Sequence, residues 1–532
     1  MTDTPTEAIR EIMKRRVPDR DALFAVVREV SSGLRRPMPP VRELLAAYRA
    51  AVRRDSSLRD RRLESFLVKN RVRSLSGVAV VTVLTKPFPC PGRCVYCPTD
   101  RRLPKSYLPD EPAAMRALAK GFDPQAQVTQ RLSALVANGH PADKIELIVK
   151  GGTWSSYPRG YQREFVRRCF DACSDFAAWR RRESATLRDA HRRNERAGHR
   201  IIGLTLETRP DSVTPEEIAH LRELGCTRIE LGVQSLDDKR LRLIRRGHDT
   251  AAVRRATRLL KDAGYKTDYH LMPQLPGATP ASDLRELREV FADPDYRPDM
   301  LKIYPCTVIE GTELHRWWKE GRYRPYPNGR LLDVLVRAKA DVPRYCRLSR
   351  IIRDIPSPDI VAGNRNTSLR QVVSREMAER GLRCACLRCR EVGRQPELLG
   401  AQPVAFDDTY ESAGGEERFL SLEDESRTAV FAFCRLRLPG GQESLYERIP
   451  EIRGAAFIRE LHTYGHLVPI DTRRRGAAQH RGHGKRLMAE AERIAREAGF
   501  ERMAVISGVG VRGYYRKLGY RLRGTYMVKR LV

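Results

Sequence analysis

Cys90-Pro-Gly-Arg-Cys94-Val-Tyr-Cys97 is the stretch on which the reading of this 532-residue chain turns. Three thiols this close converge on one point only if the backbone loops tightly, and Pro91 and Gly92 supply the bend. Thiolates are the usual ligands of iron–sulfur clusters, and a cubane takes four ligands. Three cysteines leave one iron open, which suits a cluster that binds a small molecule better than one that only relays electrons. A three-cysteine zinc knuckle or unrelated buried thiols are the plainer readings.

The loop follows Val78-Ala-Val-Val-Thr-Val-Leu84, an apolar, β-branched run expected to form a buried strand. A Cys-x3-Cys-x2-Cys loop after an early strand, with Tyr96 before the last cysteine, resembles the radical S-adenosylmethionine (SAM) enzymes. The resemblance implies a [4Fe-4S] cluster on Cys90, Cys94 and Cys97, SAM chelated to its open iron, and a 5′-deoxyadenosyl radical on reduction. From 76 to about 360, strand-like runs at 145–149, 202–206, 228–233 and 267–272 alternate with helical ones, and 301–304 is expected to close the series. That alternation predicts a parallel α/β sheet or barrel. Polar residues and glycines recur at the C-terminal ends of these runs, where parallel α/β folds bind ligands. Gly151-Gly152 alone is a tight turn, but behind a cysteine triad it resembles the segment that receives the SAM amino group. Glu207, Arg209, Gln234 and Lys266 are candidates for SAM or substrate contacts, each equally open to a structural role.

Lys plus Arg total 99 against 67 Asp plus Glu, a formal charge of +32. That excess points to a polyanionic partner, nucleic acid before membrane. Residues 1–75 read as helical, as in Val41-Arg-Glu-Leu-Leu-Ala-Ala-Tyr48, and carry basic clusters at 14–16, 35–36, 53–54, 61–62 and 69–73. Single clusters are commonly solvated helix faces; five together favour a phosphate-binding surface. With no apolar run of membrane-spanning length and no secretory leader, and with cysteines in metal-like spacing, a cytoplasmic, reducing location is expected.

Arg383-Cys384-Ala-Cys386-Leu-Arg-Cys389-Arg390 is a second group of three thiols. Zinc takes four N or S ligands, so Cys384, Cys386 and Cys389 predict a structural zinc at a domain junction, with the fourth ligand open among Cys306, Cys346 or a histidine. A second iron–sulfur cluster and free thiols are the alternatives. Beyond about 395 the pattern turns antiparallel, and Gln479-His-Arg-Gly482-His-Gly484-Lys-Arg-Leu-Met488 opens a helix. Glycines at a helix N-terminus free backbone N–H groups to cradle a pyrophosphate. The placement resembles the acyl-CoA loop of the GNAT acetyltransferases, and Gly513-Tyr514-Tyr515-Arg-Lys-Leu-Gly-Tyr520 resembles the GNAT helix whose tyrosine faces the CoA sulfur. Two core or surface tyrosines are the bland alternative.

A radical-SAM barrel joined to a GNAT domain resembles one family, the catalytic subunit of Elongator in its prokaryotic single-chain form. The likeness extends to Ser106-Tyr-Leu-Pro-Asp-Glu-Pro-Ala-Ala-Met-Arg116, Leu206-Glu-Thr-Arg-Pro-Asp211, Arg246-Gly-His248, Arg459-Glu-Leu-His462 and Ile506-Ser-Gly-Val-Gly510. It implies an α/β fold: a partial (β/α) TIM-like barrel, a GNAT-type α+β domain and a basic helical N-terminal region. The expected divisions are 1–75 for tRNA binding, 76–375 for radical SAM, 376–400 for a zinc-binding linker and 401–532 for the GNAT unit. The implied reaction forms 5-carboxymethyluridine at the wobble position of tRNA: the deoxyadenosyl radical takes hydrogen from the methyl of acetyl-CoA, the acetyl radical adds to carbon 5 of uridine, and thioester hydrolysis follows. Carried over by position, Lys144, Glu460, Leu461, His462, Thr463, His483, Gly484, Lys485 and Tyr515 contact acetyl-CoA, with Gln479, Gly482 and Tyr514 beside them. The implied partners are the anticodon stem-loop of tRNA, SAM, acetyl-CoA and an electron donor, with no membrane and a homodimer left open. Lys150 and His483 depart from the family's common residues, apolar and aromatic respectively. The main competing reading is a protein lysine acetyltransferase with a structural cluster; an RNA methylthiolase or methyltransferase and an inactive tRNA-binding scaffold are others.

Overall fold

The apolar runs become strands because their alternate residues find two different environments. The computed structural model describes residues 3–68, 77–176, 178, 182–464 and 482–531. Seven strands form the first sheet among these residues: β1 (Ala79–Leu84), β2 (Lys144–Lys150), β3 (Arg200–Thr208), β4 (Arg228–Gln234), β5 (Lys266–Leu271), β6 (Met300–Ile303) and β7 (Arg347–Arg350). They lie in chain order, every neighbouring pair parallel. Outward residues such as Val81, Leu147, Leu206, Leu231 and Leu301 are buried in one large core with the crossover helices. Inward residues of β2 to β6 are mostly polar or charged, whereas β1 turns Val80 and Thr82 inward, so β2 to β6 do not read as the continuous apolar runs of a sheet buried on both faces. The series does not close at 301–304: β7 adds a last strand. Arg347-Leu-Ser-Arg350 contains a single apolar residue, so no run announced it.

The second sheet has the order β8-β9-β10-β11-β12-β14-β13, from β8 (Val404–Ser412), β9 (Gly415–Glu423), β10 (Val430–Leu438), β11 (Ala455–Thr463), β12 (Arg502–Val505), β13 (Arg521–Arg523) and β14 (Tyr526–Arg530). All its pairs are antiparallel except β11 with β12. The long helix His483–Glu497 covers one face through Leu487, Met488, Ala491 and Ile494. At the N-terminus, α1 (Thr4–Arg15), α2 (Arg20–Gly33), α3 (Val41–Arg54) and α4 (Arg61–Phe66) enclose their own core of Ile9, Ile12, Leu23, Val27, Leu44 and Tyr48. Asp3 and Asp19 cap α1 and α2 by accepting from the backbone N–H of Thr6 and Ala22. Lys14, Arg16, Arg35, Arg36, Arg53, Arg54, Arg61 and Arg62 remain exposed; the cluster at 69–73 lies outside the described residues.

The second sheet is bolted across the N-terminal ends of the barrel strands. Arg459 of β11 donates to both carboxylate oxygens of Asp299 at 2.8 and 2.5 Å and to Glu417 at 2.7 Å, while Arg437 donates to Asp262 at 2.8 Å and to Glu417 at 3.1 Å. All five side chains are buried. Gly508 and Gly510 let the loop after β12 lie directly on β3: a Cβ on Gly508 would sit 1.9 Å from the carbonyl oxygen of Ile202, and one on Gly510 would sit 2.6 Å from Cβ of Arg200. We expect Gly508→Val to force this docking open at a cost of about 3 kcal/mol. Calorimetry should then show the single unfolding transition splitting or falling in temperature; an unchanged trace would refute the docking role.

Candidate active site

The cysteine loop sits where β1 ends. Cys90 Sγ lies 3.6 Å from the Thr153 hydroxyl and accepts from the N–H of Gly92 at 3.4 Å, and Arg246 donates to Cys94 Sγ at 3.6 Å. A Cβ on Gly92 would meet Arg209 Nη1 at 2.7 Å and touch the sulfurs of Cys90 and Cys94 at 3.6 and 3.7 Å, so a side chain there would press on the Arg209 guanidinium. Arg209 is held by Asp211 through two bonds of 2.9 and 2.8 Å, yet its buried Nη1, beside the loop, has no partner. The triad is not among the ligand groups lying within 4.8 Å of one another. That separation is too wide for one ion held by all three thiols, and the orphaned guanidinium nitrogen suits an anionic neighbour. A [4Fe-4S] cluster fits this donor set, with one iron left for SAM.

Gly151 and Gly152 follow β2 with φ of 146° and 79°, and a Cβ on Gly151 would lie 1.7 Å from the Thr85 hydroxyl. Gln234 closes β4 with φ of 72°, a strained conformation for a non-glycine residue at the same end of the barrel. Below them the lumen is a lattice of opposite charges. Lys150 donates to Glu207 at 2.7 Å and also to Glu230, which further receives Lys302 and, at 2.9 Å, His270. Burial opposes ionisation of Glu230, but Lys150 and Lys302 hold its carboxyl far below the ordinary range. Glu207, Glu230 and His270 have the spacing of a metal site, but the two ammonium groups already occupy the place of a cation.

At the opposite end, a cavity of about 870 Å³ lies between the barrel floor and the second sheet. Glu146, Ile202, Arg228, Lys266, Met300 and Arg347 form one wall. The other contains Glu460, Leu461, His462, Thr463, Gly482, Gly484, Lys485, Tyr514 and Tyr515. Gly482 enters the helix with φ of 78°, and a Cβ on Gly484 would stand 2.9 Å from the Tyr514 hydroxyl, so the helix N-terminus opens onto the cavity. Burial drives the Tyr515 phenol well above its ordinary pKa, keeping its proton in place. Burial also works against Glu460, yet Lys266 at 3.3 Å and Arg435 at 2.9 Å bring its carboxyl down to about 2.

The sequence-derived candidates thus divide into two places. Gly151, Gly152, Glu207 and Gln234 gather near the triad, whereas Lys266 stands on the cavity floor against Glu460, away from the cysteines. His483 is buried under the helix start and does not line the cavity, and Gln479 lies outside the described residues. Lys144 begins β2 at the floor, where burial pushes its ammonium below the usual range, but it does not line the cavity either. Cys384, Cys386 and Cys389 bring their sulfurs within 4.8 Å of one another beside β7, as one ion requires. No fourth His, Cys, Asp or Glu joins them among the described residues; Cys306 packs instead with Tyr323 in another core. Sequence reasoning missed Glu146, Arg228, Arg347 and Arg435; the signal was a charged residue at every second place in otherwise apolar strands.

The radical SAM superfamily matches residues 89–289, a radical SAM C-terminal domain residues 298–379, and the acetyltransferase (GNAT) family residues 405–520. A protein named tRNA uridine(34) acetyltransferase from Dehalococcoides mccartyi is 45% identical over 469 residues, covering 87% of this chain and 100% of that one. Human Elongator complex protein 3 is 40% identical over 475 residues, covering 86% and 85%. The chain belongs to the Elongator complex protein 3 family. A solved member of that family, the archaeal Methanocaldococcus infernus Elp3 with an N-terminal deletion (1-46), superposes with a TM-score of 0.73 at 40% identity, covering 86% of this chain and 100% of that one. The radical SAM match implies a [4Fe-4S] cluster and SAM, and the GNAT match implies acetyl-CoA.

Removing the Glu460 carboxylate should take from the buried Arg435 one of its two carboxylate partners, leaving Asp299 at 3.5 Å and the Tyr345 carbonyl at 2.7 Å. Glu460→Gln is expected to cost about 3 kcal/mol at neutral pH. Because the folded pKa is depressed, the carboxylate stabilises above the unfolded value of about 4.3 and ceases to do so as pH falls toward the folded one. Thermal melts from neutral to acid pH should therefore show the variant and the parent converging in that window; a constant gap would contradict the assignment.

Proposed function

We propose that this chain modifies tRNA, building a 5-carboxymethyl group on the wobble uridine from acetyl-CoA by a radical SAM reaction. The observation that carries the reading is the cavity whose walls come from both the barrel floor and the acetyltransferase sheet. A GNAT pocket serving protein lysines has no need of a radical barrel as its second wall. The relatives named tRNA uridine(34) acetyltransferase and Elongator complex protein 3 support the same substrate.

Cys90, Cys94 and Cys97 would hold the cluster, and the exposed backbone of Gly151 and Gly152 would receive the SAM amino group. When bound, cluster and SAM supply one-electron cleavage to a 5′-deoxyadenosyl radical, the reagent for removing hydrogen from an unactivated methyl. The remaining work falls to the chain. The N–H groups at Gly484 and Lys485 cradle the CoA pyrophosphate. Tyr515, neutral and buried, is placed to give a proton to the CoA sulfur when the thioester is hydrolysed. The exposed arginines of α1 to α4 grip the anticodon stem, so affinity falls steeply with salt, and the wobble base leaves its stack to reach the barrel. Cys384, Cys386 and Cys389 would hold a structural zinc beside β7 through three thiolates, the fourth ligand coming from another donor. Free thiols throughout and a reducible cluster suit the cytoplasm.

The test is anaerobic incubation of the reconstituted protein with SAM, acetyl-CoA, reductant and unmodified tRNA, followed by mass spectrometry of the nucleosides. A carboxymethyl mass on uridine that disappears with Cys94→Ala is the expected result. Acetyl transfer to protein lysines without SAM or reductant would overturn it. Tyr515→Phe is expected to lower product by about tenfold while leaving SAM cleavage in place; full product formation would remove the tyrosine from the reaction.

A further inference from the structure

The two ends of the site lie at opposite ends of the barrel strands, and the inner wall of β1 and β2 connects them. On β2, inward-facing Lys144, Glu146, Ile148 and Lys150 are all half-buried, while Ile145, Leu147 and Val149 between them are fully enclosed. On β1, Val78 and Thr82 are half-buried, and Val80 is 40% exposed although Val81 and Val83 beside it are at 0%. Val78 and Val80 face the cavity itself, so this apolar exposure opens into the interior of the molecule. The register continues the path: Val80 lies beside Glu146, Thr82 beside Ile148, and Leu84 beside Lys150. Lys150 leads into Gly151, Gly152 and Thr153, whose hydroxyl is 3.6 Å from Cys90 Sγ. Across the lumen the corresponding groups are enclosed: Glu230, Asp268, His270 and Lys302 are buried, Glu230 Oε2 accepts from His270 and pairs with Lys302, and Asp268 lies 3.6 Å from the same ammonium group.

We propose that the inner wall of β1 and β2, through Val80, Thr82 and Ile148, is the track along which the thioester arm of acetyl-CoA passes from the cavity to the cysteine triad. The proposal rests on the reading above and deepens it by naming the route. From Glu146 to Lys150 the strand rises by about 13 Å, a distance an extended pantetheine arm covers. The wall suits that ligand chemically: branched aliphatic surface for its methylenes, one threonine hydroxyl for its amides, and no free charge to hold a neutral thioester back. A nucleotide phosphate would stay behind at the helix N-terminus of the cavity, which fixes the direction in which the arm points.

Two measurements on the reconstituted full chain test the route. In the first, Ile148→Cys is alkylated with iodoacetamide and followed by peptide mass spectrometry, without any turnover. A non-hydrolysable acetyl-CoA analogue should slow modification at that position by about tenfold, whereas 3′-phospho-ADP, which lacks the arm, should leave it unchanged. In the second, deuterium transfer from trideuteroacetyl-CoA into 5′-deoxyadenosine is measured for the parent and for Val80→Leu, Val80→Phe and Val80→Trp. Transfer should fall in that order, by about tenfold or more at tryptophan, while binding of 3′-phospho-ADP, which lacks the arm, and the cluster's absorbance stay at parental levels. Equal protection by both ligands, no protection, or undiminished transfer in Val80→Trp would overturn the route. Absence of deuterium transfer in the parent would instead overturn the underlying reading, and the route with it.

Discussion

Everything in this molecule depends on a buried clamp of charges between its two sheets. Arg459 grips Asp299 on the barrel side and Glu417 on its own, Arg437 grips Asp262 and Glu417, and none of these groups sees solvent. Such pairs are costly to desolvate and contribute little net stability compared with apolar packing. What they enforce is geometry. A misdocked sheet would strand several charges in the interior without partners, so only one arrangement of the two halves is tolerable. That arrangement turns the floor of a radical barrel into the wall of an acetyltransferase pocket.

The same logic runs through the lumen. A barrel interior lined by Glu146, Lys150, Glu207, Arg228, Glu230, Asp268 and Lys302 would be unstable if any one charge stood alone, and burial acts against each of the buried ones. Pairing Lys150 and Lys302 with Glu230 and Glu207 balances the charges at the centre. It leaves β1 and β2 as the less crowded side. Lys150, unusual for the family, belongs to this neutral lattice rather than to a separate site.

Glycines do the complementary work of close approach. Gly92 leaves room for the Arg209 guanidinium, Gly151 for the Thr85 hydroxyl, Gly484 for the Tyr514 hydroxyl, and Gly508 for the backbone of β3. Each lies where a Cβ would collide, and each belongs to a motif singled out from sequence. Their role in this chain is therefore spatial, and Gly508, together with Gly510, lets the two sheets dock closely.

The sequence by itself determined what depends on local spacing. The loop of Cys90, Cys94 and Cys97, the glycines before the long helix, and the alternation of strand and helix are all written within a few residues, so the two chemistries and the fold class could be read directly. Tertiary structure alone decided what depends on distant partners. Lys266 was grouped with the SAM candidates because it stands at a strand, but it begins β5 rather than ending it, and only the sheet register put it opposite Glu460. Strand β7 escaped notice because Arg347, Ser349 and Arg350 are not apolar; it forms because β6 offers an edge and Cys346 and Leu387 pack behind it. The shared cavity and the charge clamp could not be seen in the chain at all, because a buried arginine and an exposed one are the same letter, and only the docked partner tells them apart.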